Sequence, residues 1–240
     1  MATYIMAIDQ GTTSTRVVLF DQEGSPVVSH SEGYPQLYPK PGWVEHNPED
    51  IWKSTLKCIH GVLHASEVKG QEIKAIGLTN QRETVMLWDA QSHRCIHNAI
   101  VWQCRRTADF CSRLRKRGLS RKIRAKTGLE IDPYFSASKI HWLLKNVPDA
   151  KALLRSGNLR AGTVDTFLIW RLTNGQVHAT DVSNASRTML MNLKSCAWDP
   201  DLLKIFSVPE GILPEICSSN AFYGTTKGVD GLPDGIPITG

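Results

Sequence analysis

The chain has 240 residues, 41% hydrophobic and 21% charged, with 18 Gly and 12 Pro, a globular composition that excludes disorder, collagen and coiled coil. Its net charge of +5 is local: residues 113–126 hold eight basic side chains and no acid, a solvated helical stripe without interleaved aromatics, so nucleic acid is not an expected partner. No apolar run nears the roughly 20 residues that span a bilayer, the start lacks a basic leader, and six cysteines without a C-x-x-C pair suit a reducing compartment; a cytoplasmic protein without membrane partners is expected.

In chain order, residues 4–8 are an apolar run, 9–14 a polar turn, 15–21 a stretch rich in β-branched residues, and 26–29 a further extended piece, which together predict an antiparallel meander. Asn47 can cap a helix that opens on Pro48 and runs to about residue 64, with Trp52, Leu56, Ile59 and Leu63 at helical spacing. Residues 73–79, 84–88 and 99–102 read as strands. A cluster of helices follows, in which Ile140, Leu143, Leu144 and Val147 mark one face and Pro148 ends it, and residues 163–172 pass from strand to helix. Residues 236–240 read as a strand entering a turn. Strands first and then alternating strands and helices predict an α/β domain.

Four stretches could carry chemistry. Asp9-Gln10-Gly11-Thr12-Thr13-Ser14-Thr15-Arg16 sets a carboxylate at a strand end, then a glycine, several hydroxyls and a cation. Such a turn can cradle phosphate oxygens while its carboxylate holds hydrated Mg²⁺; an ordinary hairpin turn has a similar composition. Asn80-Gln81-Arg82-Glu83 follows an apolar strand, and its adjacent Arg and Glu offer donors beside acceptors for neighbouring hydroxyls of a polyol, or form a plain polar connection. Trp102, at another strand end, could cover the carbon edge of a small ligand or sit in the core. Tyr134, in the loop 132–136, could reach a ligand with its hydroxyl; core packing of Tyr134 and capping by Ser136 explain that loop equally well.

Together these stretches resemble the FGGY carbohydrate kinases, most closely the glycerol-phosphorylating members found in bacteria. Residues 9–14 are similar to that family's phosphate-binding hairpin, and residues 38–46, 79–84, 98–107, 134–146 and 180–190 match further ordered motifs, including Lys139 and Trp142 of a family signature. The resemblance implies a ribonuclease H-like, actin-like α/β fold with a mixed sheet and flanking helices, with residues 1–240 as the N-terminal domain and an adenosine-binding domain outside this chain. It implies that Arg82, Glu83 and Tyr134 hydrogen-bond glycerol and that Trp102 packs on its carbons. Thr12, Thr13, Ser14 and Arg16 then contact the phosphates of ATP or ADP, and Asp9 helps hold Mg²⁺ through water. The chemistry implied is transfer of the γ-phosphoryl of ATP to a terminal hydroxyl of glycerol, giving sn-glycerol 3-phosphate. Family members are often homo-oligomers.

In the family the general base is an aspartate in a Gly-Asp-Gln-Gln segment that follows the equivalent of residues 236–240. No residue of this chain is therefore assigned that role, Asp165 and Asp181 included, and the 240 residues by themselves are expected to be inactive. Some bacterial members also carry an arginine-bearing, glycine-rich loop that binds the inhibitor fructose 1,6-bisphosphate. Here residues 227–235 have no Arg and include Asp230 and Asp234, so weak inhibition of that kind is expected. A sibling kinase acting on another polyol or a pentulose, and a non-catalytic module that binds glycerol or phosphate, remain as alternatives.

Overall fold

The computed structural model describes residues 3–240. The chain opens with β1 (Tyr4–Gln10), β2 (Ser14–Phe20) and β3 (Pro26–Gly33), then β4 (Glu45–His46) and α1 (Pro48–Ser66). Next come β5 (Ile73–Asn80), β6 (Val85–Asp89), β7 (Ala99–Ile100), α2 (Ala108–Lys116), α3 (Ser120–Thr127), α4 (Ser136–Asn146) and α5 (Ala150–Arg155). The remainder is β8 (Leu159–Thr163), α6 (Val164–Leu172), β9 (Ala179–Asp181), α7 (Val182–Ala185), β10 (Met191–Asn192), β11 (Ala197–Trp198), α8 (Pro200–Phe206), β12 (Glu215–Cys217) and β13 (Ile238–Thr239).

The main sheet has the order β13-β5-β1-β2-β3. The meander β1-β2-β3 is antiparallel, whereas β5 and β13 run parallel to β1, so the sheet is mixed, as expected. Along β1 the side chains alternate: Met6, Ile8 and Gln10 are buried, while Ile5 and Asp9 face solvent. Asp9 lies opposite Arg16 on β2 and beside Thr79 on β5, which puts all three on the open face of the sheet. α1 starts as its sequence predicts, with Asn47 Oδ1 accepting from the Glu49 amide at 3.0 Å and proline in the first turn. Of the expected face Trp52 and Ile59 are buried, together with Ile51, Thr55, Cys58 and Val62, whereas Leu56 and Leu63 are only partly covered. Ser54 is buried on the same helix, and its hydroxyl meets the buried hydroxyl of Thr15 on β2 at 2.6 Å.

A second sheet, β4-β7-β6-β8, is antiparallel throughout. It separates two cores. Met86 and Trp88 of β6 join the cluster built on the main sheet, α1 and α6, while Val85 and Leu87 join a cluster with Leu114, Ile140, Leu143 and Phe206. Burial on both faces explains why β6 is apolar at successive positions. The segment Gln81–Thr84 is the link from the first sheet to the second, so it sits on the seam between them. Residues 113–126 form two helices broken at Gly118 (φ 75°), and part of their charge is paired, Lys122 with Asp201, Arg124 with Glu130 and Lys126 with Asp199. No helix of the described residues is long and apolar enough to cross a membrane, and all six cysteines are free thiols.

Candidate functional site

The β1–β2 turn is closed by the Gly11 amide donating to Ser14 O at 2.9 Å, and a side chain at Gly11 would put a Cβ 3.0 Å from that same oxygen, which is why glycine stands there. Beneath the turn lies a buried set of side chains. Tyr34 Oη donates to Gly11 O at 2.5 Å, Gln10 Nε2 reaches the same carbonyl at 2.8 Å and Gln81 Nε2 reaches it at 3.1 Å, while Gln36 Nε2 takes Thr12 O at 3.0 Å. Burial pushes the Tyr34 phenol up to about 12 and the His46 imidazole down to about 4, so both act as neutral hydrogen-bonding groups. His46 in turn contacts Gln36 Oε1 at 2.6 Å. A trans peptide holds its N–H opposite its C=O, and no peptide bond among the described residues is cis. Drawing the carbonyls of Gly11 and Thr12 inward therefore turns the amides of Thr12 and Thr13 outward, which is the arrangement that receives an anion.

Above the turn is a cavity of about 360 Å³ lined by Thr12, Asn80, Gln81, Arg82, Glu83, Trp102, Tyr134 and Arg187. Arg82, Glu83, Trp102 and Tyr134, expected from the sequence to meet one ligand, thus share one cavity, and Thr12 of the hairpin lies on its rim. Ser14, Arg16 and Asp9 lie beside it on β1 and β2, with Asp9 and Arg16 exposed, and Thr13 is exposed at the turn's tip. Trp102 is in the turn that follows β7, two residues beyond the strand's end, rather than inside a strand running to 102. Its ring stands 5.3 Å from that of Tyr134.

Glu83 is 3% exposed and has φ 62°. The Thr84 amide donates to Arg82 O at 2.8 Å, so Glu83 occupies the centre of a γ-turn of the rare positive-φ kind, a conformation that costs about 1–3 kcal/mol. This turn leaves Arg82 exposed and Glu83 buried although they are neighbours. Among the described residues no ion pair reaches Arg82. The Glu83 carboxylate is taken by Arg187, with Nε to Oε1 2.6 Å. Ser136 is not the cap of α4; its hydroxyl donates to Glu83 O at 3.2 Å instead, and the cap position falls to Phe135. Behind Tyr134, the buried Lys139 ammonium donates to the carbonyls of Pro133, Tyr134 and Phe135 at 2.9, 2.5 and 2.8 Å. Arg187 and Lys139 complete the site, and sequence reasoning gave neither a contact. Arg187 stands 104 residues from Glu83, with no periodicity to link the two.

A second cavity of about 210 Å³ adjoins the first, sharing Asn80 and Arg82, and is also lined by Asp165, Asp181, Tyr223 and Gly240. Both aspartates are occupied. Asp165 accepts from the Thr163 and Thr180 hydroxyls at 2.5 and 2.6 Å, and burial pushes it up to about 6. Asp181 caps α7 through the Asn184 amide and takes the Ser219 hydroxyl. A larger cavity, about 750 Å³, lies away from these residues at the start of α1 and the loop 92–98, where Arg171 is held by Glu49 at 2.7 Å.

The model of the FGGY family of carbohydrate kinases, N-terminal domain, matches residues 4–240. The chain belongs to the FGGY carbohydrate kinases. Its FGGY relatives include glycerol kinase of Bdellovibrio bacteriovorus, 60% identical over 240 residues, and glycerol kinase of Halothermothrix orenii, 50% identical over 237 residues, which cover 100% and 99% of this chain. The crystal structure of Plasmodium falciparum glycerol kinase with ADP superposes with a TM-score of 0.93 at 36% identity, covering 100% of this chain and 48% of that one. The fold is accordingly the actin-like ATPase fold of FGGY sugar kinases. The chain spans about half the length of the curated relatives it matches, 48% of each.

Proposed function

We propose that the chain is the substrate- and phosphate-binding half of a glycerol kinase, which transfers the γ-phosphoryl of ATP to a terminal hydroxyl of glycerol and yields sn-glycerol 3-phosphate. The observation that carries this reading is the single cavity of about 360 Å³ in which Arg82, Glu83, Trp102 and Tyr134 converge beside Thr12. A three-carbon triol needs donors and acceptors along one edge and apolar cover along the other. Arg82 supplies donors, Glu83 an acceptor and the Tyr134 hydroxyl either, while Trp102 covers the carbons. The outward amides of Thr12 and Thr13, the hydroxyls of the turn and the Arg16 guanidinium meet the phosphates of ATP, so the turn neutralises charge as the phosphoryl group moves.

Asp9 fits a role toward Mg²⁺. Its carboxylate is exposed beside the turn, and among the described residues no three His, Cys, Asp or Glu side chains gather to hold an ion; one carboxylate is enough for a cation that keeps its waters and arrives with phosphates. When bound, that ion supplies charge for the phosphate oxygens. We assign the proton acceptor to the second half of the protein. β13 lies parallel beside β5, so the chain leaves Gly240 at the same end of the sheet as Asn80 and Arg82, and Gly240 itself lines the adjoining cavity.

The six free thiols support a reducing, cytoplasmic setting. The test is glycerol-dependent ADP release from Mg·ATP, measured on residues 1–240 and on the same residues continued into a second domain, with erythritol, D-xylulose and D-gluconate as competing substrates. Activity confined to the longer protein and highest with glycerol is expected. Preference for a sugar would overturn the substrate, and activity of residues 1–240 alone would overturn the placement of the base.

A further inference from the structure

Glu83 has two carboxylate oxygens and only one is engaged: Oε1 accepts from Arg187, while Oε2 accepts no hydrogen bond among the described residues. A buried carboxylate with one bare oxygen facing a cavity is a receptor for a hydroxyl, provided its plane is fixed. Its backbone is fixed by the γ-turn and by Ser136, but a glutamate side chain has three further rotatable bonds. Arg187 is the group that stops them. Its guanidinium also stands 5.8 Å from the ring centre of Tyr134, a second lining residue, and 4.9 Å from that of Phe135 behind it, so the planar cation that holds Glu83 also lies beside the Tyr134 ring.

Arg187 is itself anchored. Its amide donates to Asn184 O at 3.0 Å, in the turn that ends α7, and Asn80 Nδ2 donates to Asn184 Oδ1 at 3.1 Å. The turn carrying Arg187 is thereby tied to the end of β5, next to the segment it serves. The two arginines of the cavity divide the work: Arg82 has no carboxylate partner among the described residues, whereas Arg187 has Glu83.

We propose that Arg187 is a positioning residue of the substrate cavity, orienting the Glu83 carboxylate and the Tyr134 ring so that the site tells a triol from a diol lacking one hydroxyl. This rests on the glycerol-kinase reading above. A site built to hydrogen-bond a hydroxyl rejects an analogue without it because its own polar groups are left unpaired. That penalty survives only while the carboxylate cannot swing away to another partner or to water.

The experiment is steady-state kinetics of the full-length kinase with glycerol, 1,2-propanediol and 1,3-propanediol, in wild type, Arg187→Lys and Arg187→Ala, with thermal melts of each and added methylguanidinium for the alanine variant. Arg187→Ala is expected to raise the glycerol KM by about tenfold or more and to narrow the preference for glycerol over both diols. The Mg·ATP KM stays within about twofold, and methylguanidinium recovers part of the loss. Arg187→Lys, with one compact donor in place of a fork, recovers less of the discrimination than of the melting temperature. An unchanged triol-to-diol ratio in both variants overturns the proposal, as does a parallel rise of both KM values that follows the melting temperature. If wild type prefers another polyol, the glycerol reading fails, and the role of Arg187 is read on that polyol against its deoxy analogue.

Discussion

The indole Nε1 of Trp102 donates to the Thr12 hydroxyl at 3.1 Å, so the apolar wall of the proposed substrate cavity is hydrogen-bonded to the β1–β2 turn. The Trp102 amide is also held, by Thr84 Oγ1 at 3.3 Å, and Thr84 donates to Gln81 Oε1 at 2.9 Å beneath that turn. Trp102→Phe keeps an aromatic wall and removes one donor. Since a single hydrogen bond is worth about 0.5–1.5 kcal/mol, the variant is expected to raise the Mg·ATP KM by about two- to tenfold, with a smaller effect on the glycerol KM. Thr12→Val should behave alike, and a double-mutant cycle should show a coupling of about 1 kcal/mol. Strict additivity of the two changes would count against communication through this bond.

Lys139 gives a stability prediction. It is fully buried, and burial pulls its pKa down to about 7, yet three carbonyl oxygens surround its nitrogen, and only the ammonium form has three protons to offer them. Lys139→Met leaves those carbonyls without a donor, at a cost of about 2–4 kcal/mol. In a protein of this size that lowers the melting temperature by several degrees. Because the carbonyls belong to the loop that carries Tyr134, the glycerol KM should rise as well. A melt unchanged from wild type would show that water replaces the ammonium.

How much of this could be read from the sequence depends on the range of the signal. The Asn47 cap, the β1–β3 meander and the turn at Gly11 are set by residues within a few positions of one another, and all are legible. Arg82, Glu83, Trp102 and Tyr134 could each be picked out because each follows the end of a strand or precedes a helix. What brings them together is not local. The buried Lys139, the inward turn of Ser136 to Glu83 and the pairing of Glu83 with Arg187 depend on how the two sheets meet. The positive φ at Glu83 had no signal at all, since neither Gly nor Asn stands there.

Asp165 makes stability depend on pH. Burial pushes its carboxyl up to about 6 from 3.8, against the pull of the Thr163 and Thr180 hydroxyls. Between those values the folded protein holds a proton that the unfolded chain releases, so this group's contribution is present at low pH and is lost as pH rises from about 4 to about 6. Asp165→Asn removes the titration. Relative to wild type, the variant should therefore gain about 2–3 kcal/mol between pH 4 and pH 7. Denaturant unfolding at the two values measures this, and a pH-independent difference between the proteins would show that Asp165 ionises normally.

The last prediction concerns the loop 227–235, which the family resemblance aligns with the bisphosphate-binding loop of some bacterial members. A phosphate binds such a loop through free amides and a nearby cation. Here the Gly228 amide is already taken by Asp234 Oδ1 at 2.7 Å, the Lys227 ammonium lies 3.9 Å from the same carboxylate, and Asp230 stands 3.5 Å from His60. An incoming phosphate must displace one carboxylate and approach a second, both of which repel it. Fructose 1,6-bisphosphate at millimolar levels is therefore expected to inhibit the full-length kinase weakly or not at all. Asp234→Gly combined with Asp230→Arg frees the amide and adds a cation, and should make inhibition measurable. Strong inhibition of the wild-type enzyme would mean that the bisphosphate is bound by other residues.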